Sequence, residues 1–247
     1  MSPEEKQTRE ELAACYRLAA LHKFTDLIYT HITARVPGED GHFLINPYGW
    51  RWEEITASSL VKIDVDGNKV DGSPHRVNPA GFTIHSAVHM ARHDAVCVLH
   101  THTVAGVAVS SIKEGLLPLN QWSAQFYDRI AFHDYEGIAL DLAERERIVA
   151  DLGDKFVMLL RNHGTLLLGR SVAEALKLAL NLERSCKAQV AALGMGLTPV
   201  VLPHEVAEHT AKQYARAYDK DAETGRADPE WDAFLRQLDK VAPGYKD

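Results

Sequence analysis

Cysteine is scarce in this chain: Cys15, Cys97 and Cys186 are the three in 247 residues, and no two stand in a C-x-x-C pair. An odd number of isolated thiols makes no disulfide framework, and buried free cysteines in a reducing, cytoplasmic setting are expected. Long apolar runs are also missing. None approaches the roughly 20 residues that span a bilayer, and the amino terminus, charged from its fourth residue, reads as neither signal nor transit peptide. An excess of basic charge is absent too. With 34 acidic and 27 basic residues the formal charge is −7, which gives no electrostatic reason to expect nucleic acid or an anionic membrane as partner. No repeat, low-complexity segment or Pro/Gly/Ser linker divides the chain. What is present is the composition of an ordinary globular protein, 46% hydrophobic and 25% charged, able to bury a substantial core.

Residues 4–22 carry apolar side chains at helical spacing behind an acidic first turn. His31-Ile-Thr-Ala-Arg-Val36 and Phe43-Leu-Ile45 read as short strands separated by the turn residues Pro37-Gly-Glu-Asp-Gly41. Leu60–Val65 alternates and ends at Asp66-Gly67, which predicts a hairpin resuming near Lys69. Gly81–Arg92 is helical in pattern, and Ala95–Leu99 suits a buried strand that delivers His100-Thr101-His102 at its end. A short helix over Val104–Ser111, a strand over Ile130–Phe132 and a helix over Glu144–Leu152 follow. Phe156–Leu160 reads as a strand running into Arg161-Asn-His-Gly164, with Thr165–Leu168 as its hairpin partner. Ser171 and Glu174 form a capping box for a helix reaching about Leu193, and two polar amphipathic segments, 203–220 and 229–241, close the chain at the periphery. Interspersed strands and helices of this kind make an α/β protein with one mixed sheet.

Alternation along a strand puts His100 and His102 on one face. Two imidazoles ending an apolar strand without partners would lose solvation and leave ring nitrogens unpaired. A divalent cation removes that cost, because neutral imidazole is a ligand for zinc, iron and similar metals. A third ligand must come from elsewhere. His163 is the candidate, since it too follows an apolar strand in a tight Asn-His-Gly turn. The alternative is a set of hydrogen-bonding histidines at a sheet end. His85 and His89, four apart, share one face of the 81–92 helix; Ser86 stands where H-E-x-x-H would have Glu, so they read as packing histidines at a helix–sheet boundary. Glu53-Glu54 and the Asp64/Asp66 pair read as solvated faces. Tyr135, behind His133 and Asp134 in a loop after a strand, is a candidate for proton transfer, with packing as the alternative.

These residues together resemble the class II aldolase/adducin family from about residue 8 to residue 195. The matching motifs are His31-Ile-Thr-Ala-Arg35, Ile45-Asn-Pro-Tyr-Gly49, Leu99-His-Thr-His-Thr103 and Leu160-Arg-Asn-His-Gly164, in the expected order. Thr56-Ala-Ser-Ser-Leu-Val-Lys-Ile63, Ala80-Gly-Phe-Thr-Ile-His-Ser-Ala87 and Phe132-His-Asp-Tyr-Glu-Gly137 resemble the adducin head domain and its bacterial relatives most closely. The resemblance implies a three-layer fold with a mixed, mainly antiparallel sheet over residues 1–200, and a helical extension, 201–247, packed on it. It implies a metal held by His100, His102 and His163, zinc first with iron or manganese as alternatives, and a homotetramer with sites between subunits. In the family's aldolases the cation polarises a carbonyl and stabilises an enediolate. For this chain that translates into a small-molecule substrate, with His133 or Tyr135 transferring the proton and Arg35, His31, Thr33, Gly49 and His85 binding substrate.

The departures from the aldolases carry equal weight. The acidic residue they place four positions before the histidine matching His85 falls on Gly81 here. Their phosphate loop aligns with Thr30-His-Ile-Thr33 and its serine pair with Pro79-Ala80, so most groups that would cradle a phosphate are missing. The tyrosine proton donor aligns with His133, with Tyr135 two residues on. The expectation is a metal-dependent lyase-type enzyme, with aldolase, decarboxylase or isomerase chemistry, on a non-phosphorylated carbonyl or carboxylate compound. The alternative is a non-catalytic, adducin-like binding or assembly protein that keeps the metal site. Adducin's cytoskeletal role, associated with a basic tail, is not expected to carry over, since these 247 residues hold no such tail.

Overall fold

A computed structural model gives the architecture and describes residues 1–137, 143–224 and 228–247. The elements run α1 (Pro3–Leu21), β1 (His31–Arg35), β2 (Phe43–Ile45), β3 (Val61–Ile63), α2 (Pro79–Ala91), β4 (Cys97–Thr101), α3 (Val104–Ser110), α4 (Gln121–Ala124), β5 (Ile130–His133), α5 (Glu144–Leu152), β6 (Val157–Leu160), β7 (Gly164–Gly169), α6 (Val172–Gly194), α7 (His204–Thr224) and α8 (Pro229–Val241). The strands form one seven-stranded sheet in the order β3-β2-β1-β4-β7-β6-β5. Every neighbouring pair is antiparallel except β5–β6. This is the mixed, mainly antiparallel α/β sheet expected from the sequence.

The central strands are apolar on both faces, so each must be covered. Residues of one parity, among them Ile32, Leu99, Leu159 and Leu167, join a large core with α1, α3 and α6. Residues of the other parity, Val98, Met158, Leu160, Leu166 and Leu168, pack with Ile84 and Val88 of α2 and with Ile148 and Leu152 of α5. Strand period two thus produces three layers: helices, sheet, helices. The last helix is embedded more deeply than its polar composition suggests, since Trp231, Leu238 and the following Tyr245 enter the α1 core.

Local chemistry sets the element ends. Ser2 caps α1, with Pro3 opening it, and Ser171 accepts the Glu174 amide at the start of α6. The hairpin expected after Asp66-Gly67 survives as a single bridge, Ile63 to Lys69. The strand expected to stop at Leu99 continues through Thr101, because His100 finds ladder partners in His31 on one side and Leu166 on the other. Among the described residues, no helix is long and apolar enough to cross a membrane.

Candidate metal centre

Strand parity places His100 beyond Val98 on the α2/α5 face of the sheet, at the end where β4 finishes and β1 and β7 begin. The β6–β7 turn stands beside it and carries His163. That turn uses two special residues for different reasons. Asn162 takes a left-handed φ of 56°, which asparagine tolerates better than most residues. Gly164 has no room for a side chain: a Cβ there would lie 2.3 Å from the Thr101 carbonyl oxygen.

The three imidazoles converge. Ring centroids are 4.6 Å apart for His100–His102 and 4.8 Å for both His100–His163 and His102–His163. One nitrogen from each ring falls in a group whose members all lie within 4.8 Å of one another, a cluster that can hold a metal ion. The outer hydrogen bonds reveal the protonation pattern. His100 Nδ1 lies 2.9 Å from the Thr165 carbonyl oxygen and His102 Nδ1 lies 2.9 Å from Asp26 Oδ2. Both partners are acceptors, so both Nδ1 atoms donate. In the neutral rings both Nε2 atoms then carry lone pairs, and these face each other at 2.9 Å. Two lone pairs at that distance repel unless a cation or proton sits between them, so the donor set fits a metal.

The His100 and His163 rings are held neutral, as ligands must be. Burial, together with the neighbouring imidazoles of His163, His102 and His31, pushes the His100 pKa well below its ordinary value. Burial and the same kind of crowding lower His163 to about 4.

Behind His100 lies a second, buried histidine group on β1 and α2. The His31 and His85 rings stand 3.9 Å apart, and Thr33 Oγ1 is 2.8 Å from both His85 Nδ1 and His89 Nε2. His89 Nδ1 donates to the Ala95 carbonyl at 3.1 Å. It follows that Thr33 donates to His89 Nε2 and accepts from His85 Nδ1, which leaves a lone pair on the buried, unpaired His85 Nε2. Thr33 and His85 are thus committed to each other and buried beneath the cluster.

The remaining candidates separate. Tyr135 is 55% exposed with its ring centroid 6.1 Å from that of His163. Both residues line a narrow cleft with His133, Glu136, Glu144 and Arg161. His133 is buried at the end of β5 between two carboxylates, Asp151 at 2.7 Å from Nδ1 and Glu144 at 3.5 Å from Nε2. Gly49, at φ 96°, sits in an exposed turn after β2, at the same end of the sheet as His31 but two strands from β4. Arg35 does not join the group. It ends β1 on the opposite side and gives its guanidinium to the carbonyls of His89, Arg92 and Ala95, closing the end of α2. The guanidinium is thus occupied by backbone carbonyls at the end of the sheet away from the histidine cluster.

Sequence reasoning missed Asp26, Thr165, Glu144 and Asp151. The first two act across long chain separations with no local pattern to announce them. Glu144 and Asp151 are seven apart on α5, so a shared acidic face was the available signal. A roomier cleft of about 300 Å³ lies elsewhere, lined in part by Arg170, Tyr214 and Tyr218. Its Arg170 is already paired with Glu174 and Asp219.

A three-layer α/β fold with a histidine cluster at the ends of its central strands defines the class of protein, and sequence comparison names the family. Residues 10–190 match the family model described as the class II aldolase and adducin N-terminal domain. The chain belongs to the class II aldolase/adducin family. It is 54% identical to a Caulobacter vibrioides protein that bears an aldolase class 2 name, over 100% of this chain and 95% of that one. It is 44% identical to alpha-adducin of Mus musculus over 98% of this chain, which spans 34% of adducin's length. Among solved structures, an aldolase II superfamily protein from Pseudomonas syringae superposes with a TM-score of 0.91 at 50% identity, covering 100% of this chain and 98% of the other. An L-fuculose 1-phosphate aldolase from Glaciozyma antarctica superposes with a TM-score of 0.82 at 27% identity, covering 97% and 92%.

Proposed function

We propose that the protein is a metal-dependent lyase-type enzyme acting on a small, non-phosphorylated carbonyl or carboxylate compound, with a divalent cation held by His100, His102 and His163. The observation that carries this reading is the pair of Nε2 lone pairs facing each other at 2.9 Å, each fixed by a donating Nδ1 on the far side of its ring. Zinc is the first choice of cation, with iron or manganese accepted by the same donors. When bound, such a cation stabilises negative charge developing on a substrate oxygen as a bond is broken or made.

The chain's own residues supply the rest. Tyr135, exposed over the cleft, holds the proton to be transferred at its phenol oxygen. His133, gripped by Asp151 and Glu144, sets the end of β5 from which Tyr135 projects, and is the second candidate for proton transfer. Non-phosphorylated substrates are favoured because the hydroxyls aligned with the family's phosphate loop are engaged internally. Thr30 donates to the Tyr29 carbonyl, and Thr33 is shared between His85 and His89. A homotetramer, with sites completed between subunits, and a cytoplasmic location belong to the same reading.

Metal analysis of the purified protein tests it, with one divalent cation per chain expected in the wild type and loss of that cation in His100→Ala. A substrate screen then compares phosphorylated with unphosphorylated hydroxy-ketones and keto-acids. Absence of stoichiometric metal overturns the metal reading, and preferred turnover of phosphorylated sugars overturns the substrate class. The 44% identity to alpha-adducin across nearly the whole chain favours one second reading, a binding or assembly protein that retains the cation without catalysis. Stoichiometric metal with no turnover in the screen would select it.

A further inference from the structure

We infer that Asp26 is a positioning residue for the metal centre, one that holds His102 in its ligating tautomer and strengthens its grip on a cation. The inference rests on the three-histidine reading above. Asp26 Oδ2 lies 2.9 Å from His102 Nδ1, on the ring edge opposite the Nε2 that faces His100. A carboxylate there does three things. It keeps the proton on Nδ1, it leaves the lone pair on Nε2, and its negative charge makes that lone pair a better donor. His100 has only a neutral backbone carbonyl, that of Thr165, in the equivalent place. Of these two ligands, His102 is the one with a charged partner.

The chain goes to some trouble to bring Asp26 there. It stands in the connection between α1 and β1, in a tight turn closed by the Tyr29 amide on the Asp26 carbonyl at 2.8 Å. Lys23, Leu27 and Thr30 take left-handed φ values of 65°, 51° and 61°, none of them glycine. Such conformations cost energy for side-chain-bearing residues and persist where surrounding structure enforces them. Phe24, buried in the main core, anchors one side of the connection, and the first residue of β1 anchors the other. The loop thus projects a carboxylate at one ring of the cluster from 76 residues away in sequence.

Zinc affinity of the full chain, stripped of metal and titrated against a chromophoric chelator, tests the inference without reference to any substrate. Asp26→Asn keeps an acceptor for Nδ1 but removes the charge, so about tenfold weaker binding is expected. Asp26→Ala removes both, so the loss should approach 100-fold. Leu27→Ala, in the same turn and 69% exposed, should bind as the wild type does. Thermal midpoints of the metal-free proteins separate positioning from folding. A variant that unfolds earlier yet binds zinc as tightly as the wild type assigns Asp26 to the fold alone and overturns the inference. So does an Asp26→Ala no weaker than Leu27→Ala. Failure of the wild type itself to bind zinc overturns the three-histidine reading together with this one.

Discussion

Gly164, one residue before the Thr165 that pairs with Thr101, approaches Thr101 so closely that a methyl group on the glycine would meet the threonine carbonyl oxygen at 2.3 Å and His102 Cδ2 at 3.1 Å. The contact is backbone against Cβ, so no side-chain rotation relieves it. β7 would have to move away from the strand that carries His100 and His102.

Gly164→Ala is therefore expected to destabilise the fold by about 1–3 kcal/mol, the usual range for forced overpacking. It should weaken metal binding as well, because the displaced turn carries His163. Gly194→Ala is the matched control, since nothing lies within 4 Å of a Cβ there, and it should be close to neutral. Denaturant midpoints and a zinc titration on both variants check this. Equal midpoints would show that the ladder can open at no cost.

How much of this site is readable from sequence depends on the range over which each part is determined. The ends of β4 and β6 follow from short apolar runs, so the histidines that terminate them stand out without any structure. Strand parity then places His100 on the α2 face. Where long-range pairing decides, the reading falls short. The continuation of β4 to Thr101 depends on His31 and Leu166, and Asp26 reaches His102 only through tertiary folding. α4 also escapes notice, because its four residues are held by the Asn120–Ser123 capping box and not by any apolar periodicity. The place of Arg35 is hidden for a related reason: a family motif names the residue, whereas the direction of β1 decides which end of the sheet it reaches.

His89 supplies a pH signature. Burial, with the Arg35 charge nearby, lowers it from 6.5 to about 3 in the folded protein. A group that stays neutral in the fold but takes a proton when unfolded favours unfolding in acid. Its stabilising share is complete above about pH 6.5 and is lost as the pH falls from there toward 3, at ~1.4 kcal/mol per pH unit. Urea unfolding at pH 7, 5.5 and 4.5 should show this slope, added to the contributions of His85, His100 and His163, whose pKa values are lowered in the same direction. In His89→Gln the slope should fall by one proton. An unchanged slope would mean that His89 titrates normally in the fold.

A second stability prediction concerns Glu5, buried on α1. It binds Arg9 Nε at 2.9 Å and Lys62 Nζ at 2.9 Å, tying α1 to β3. Arg9 also donates to the Leu60 carbonyl at 2.6 Å. Removing the carboxylate strands two cations in a site with little water, which typically costs 3–5 kcal/mol. Asp71 and Glu39 still reach Arg9 and Lys62, so Glu5→Gln should lose about 2–3 kcal/mol. Lys6→Ala, which breaks the exposed Lys6–Glu10 pair at 3.9 Å, should change stability by under ~0.5 kcal/mol. Chemical denaturation of the two variants side by side is sufficient, and equal losses would refute the distinction.

Tyr135 and His133 divide the proposed chemistry in a way that mutation can resolve. Tyr135 is exposed and reaches the cleft beside His163, whereas both nitrogens of His133 are directed at carboxylates. If the phenol carries the proton, Tyr135→Phe removes one oxygen and should lower turnover of the screened substrate by about 10²–10⁴-fold. The zinc content and unfolding midpoint should stay at wild-type levels, because an exposed hydroxyl with no part in the core is lost. Asp151→Asn weakens the grip on His133 without touching Tyr135. It should cost stability, since a charge-assisted bond of 2.7 Å becomes a neutral one, and should affect turnover far less. The reverse pattern, with Tyr135→Phe active and Asp151→Asn inactive at full zinc content, would transfer the proton-handling role to His133 and its carboxylates.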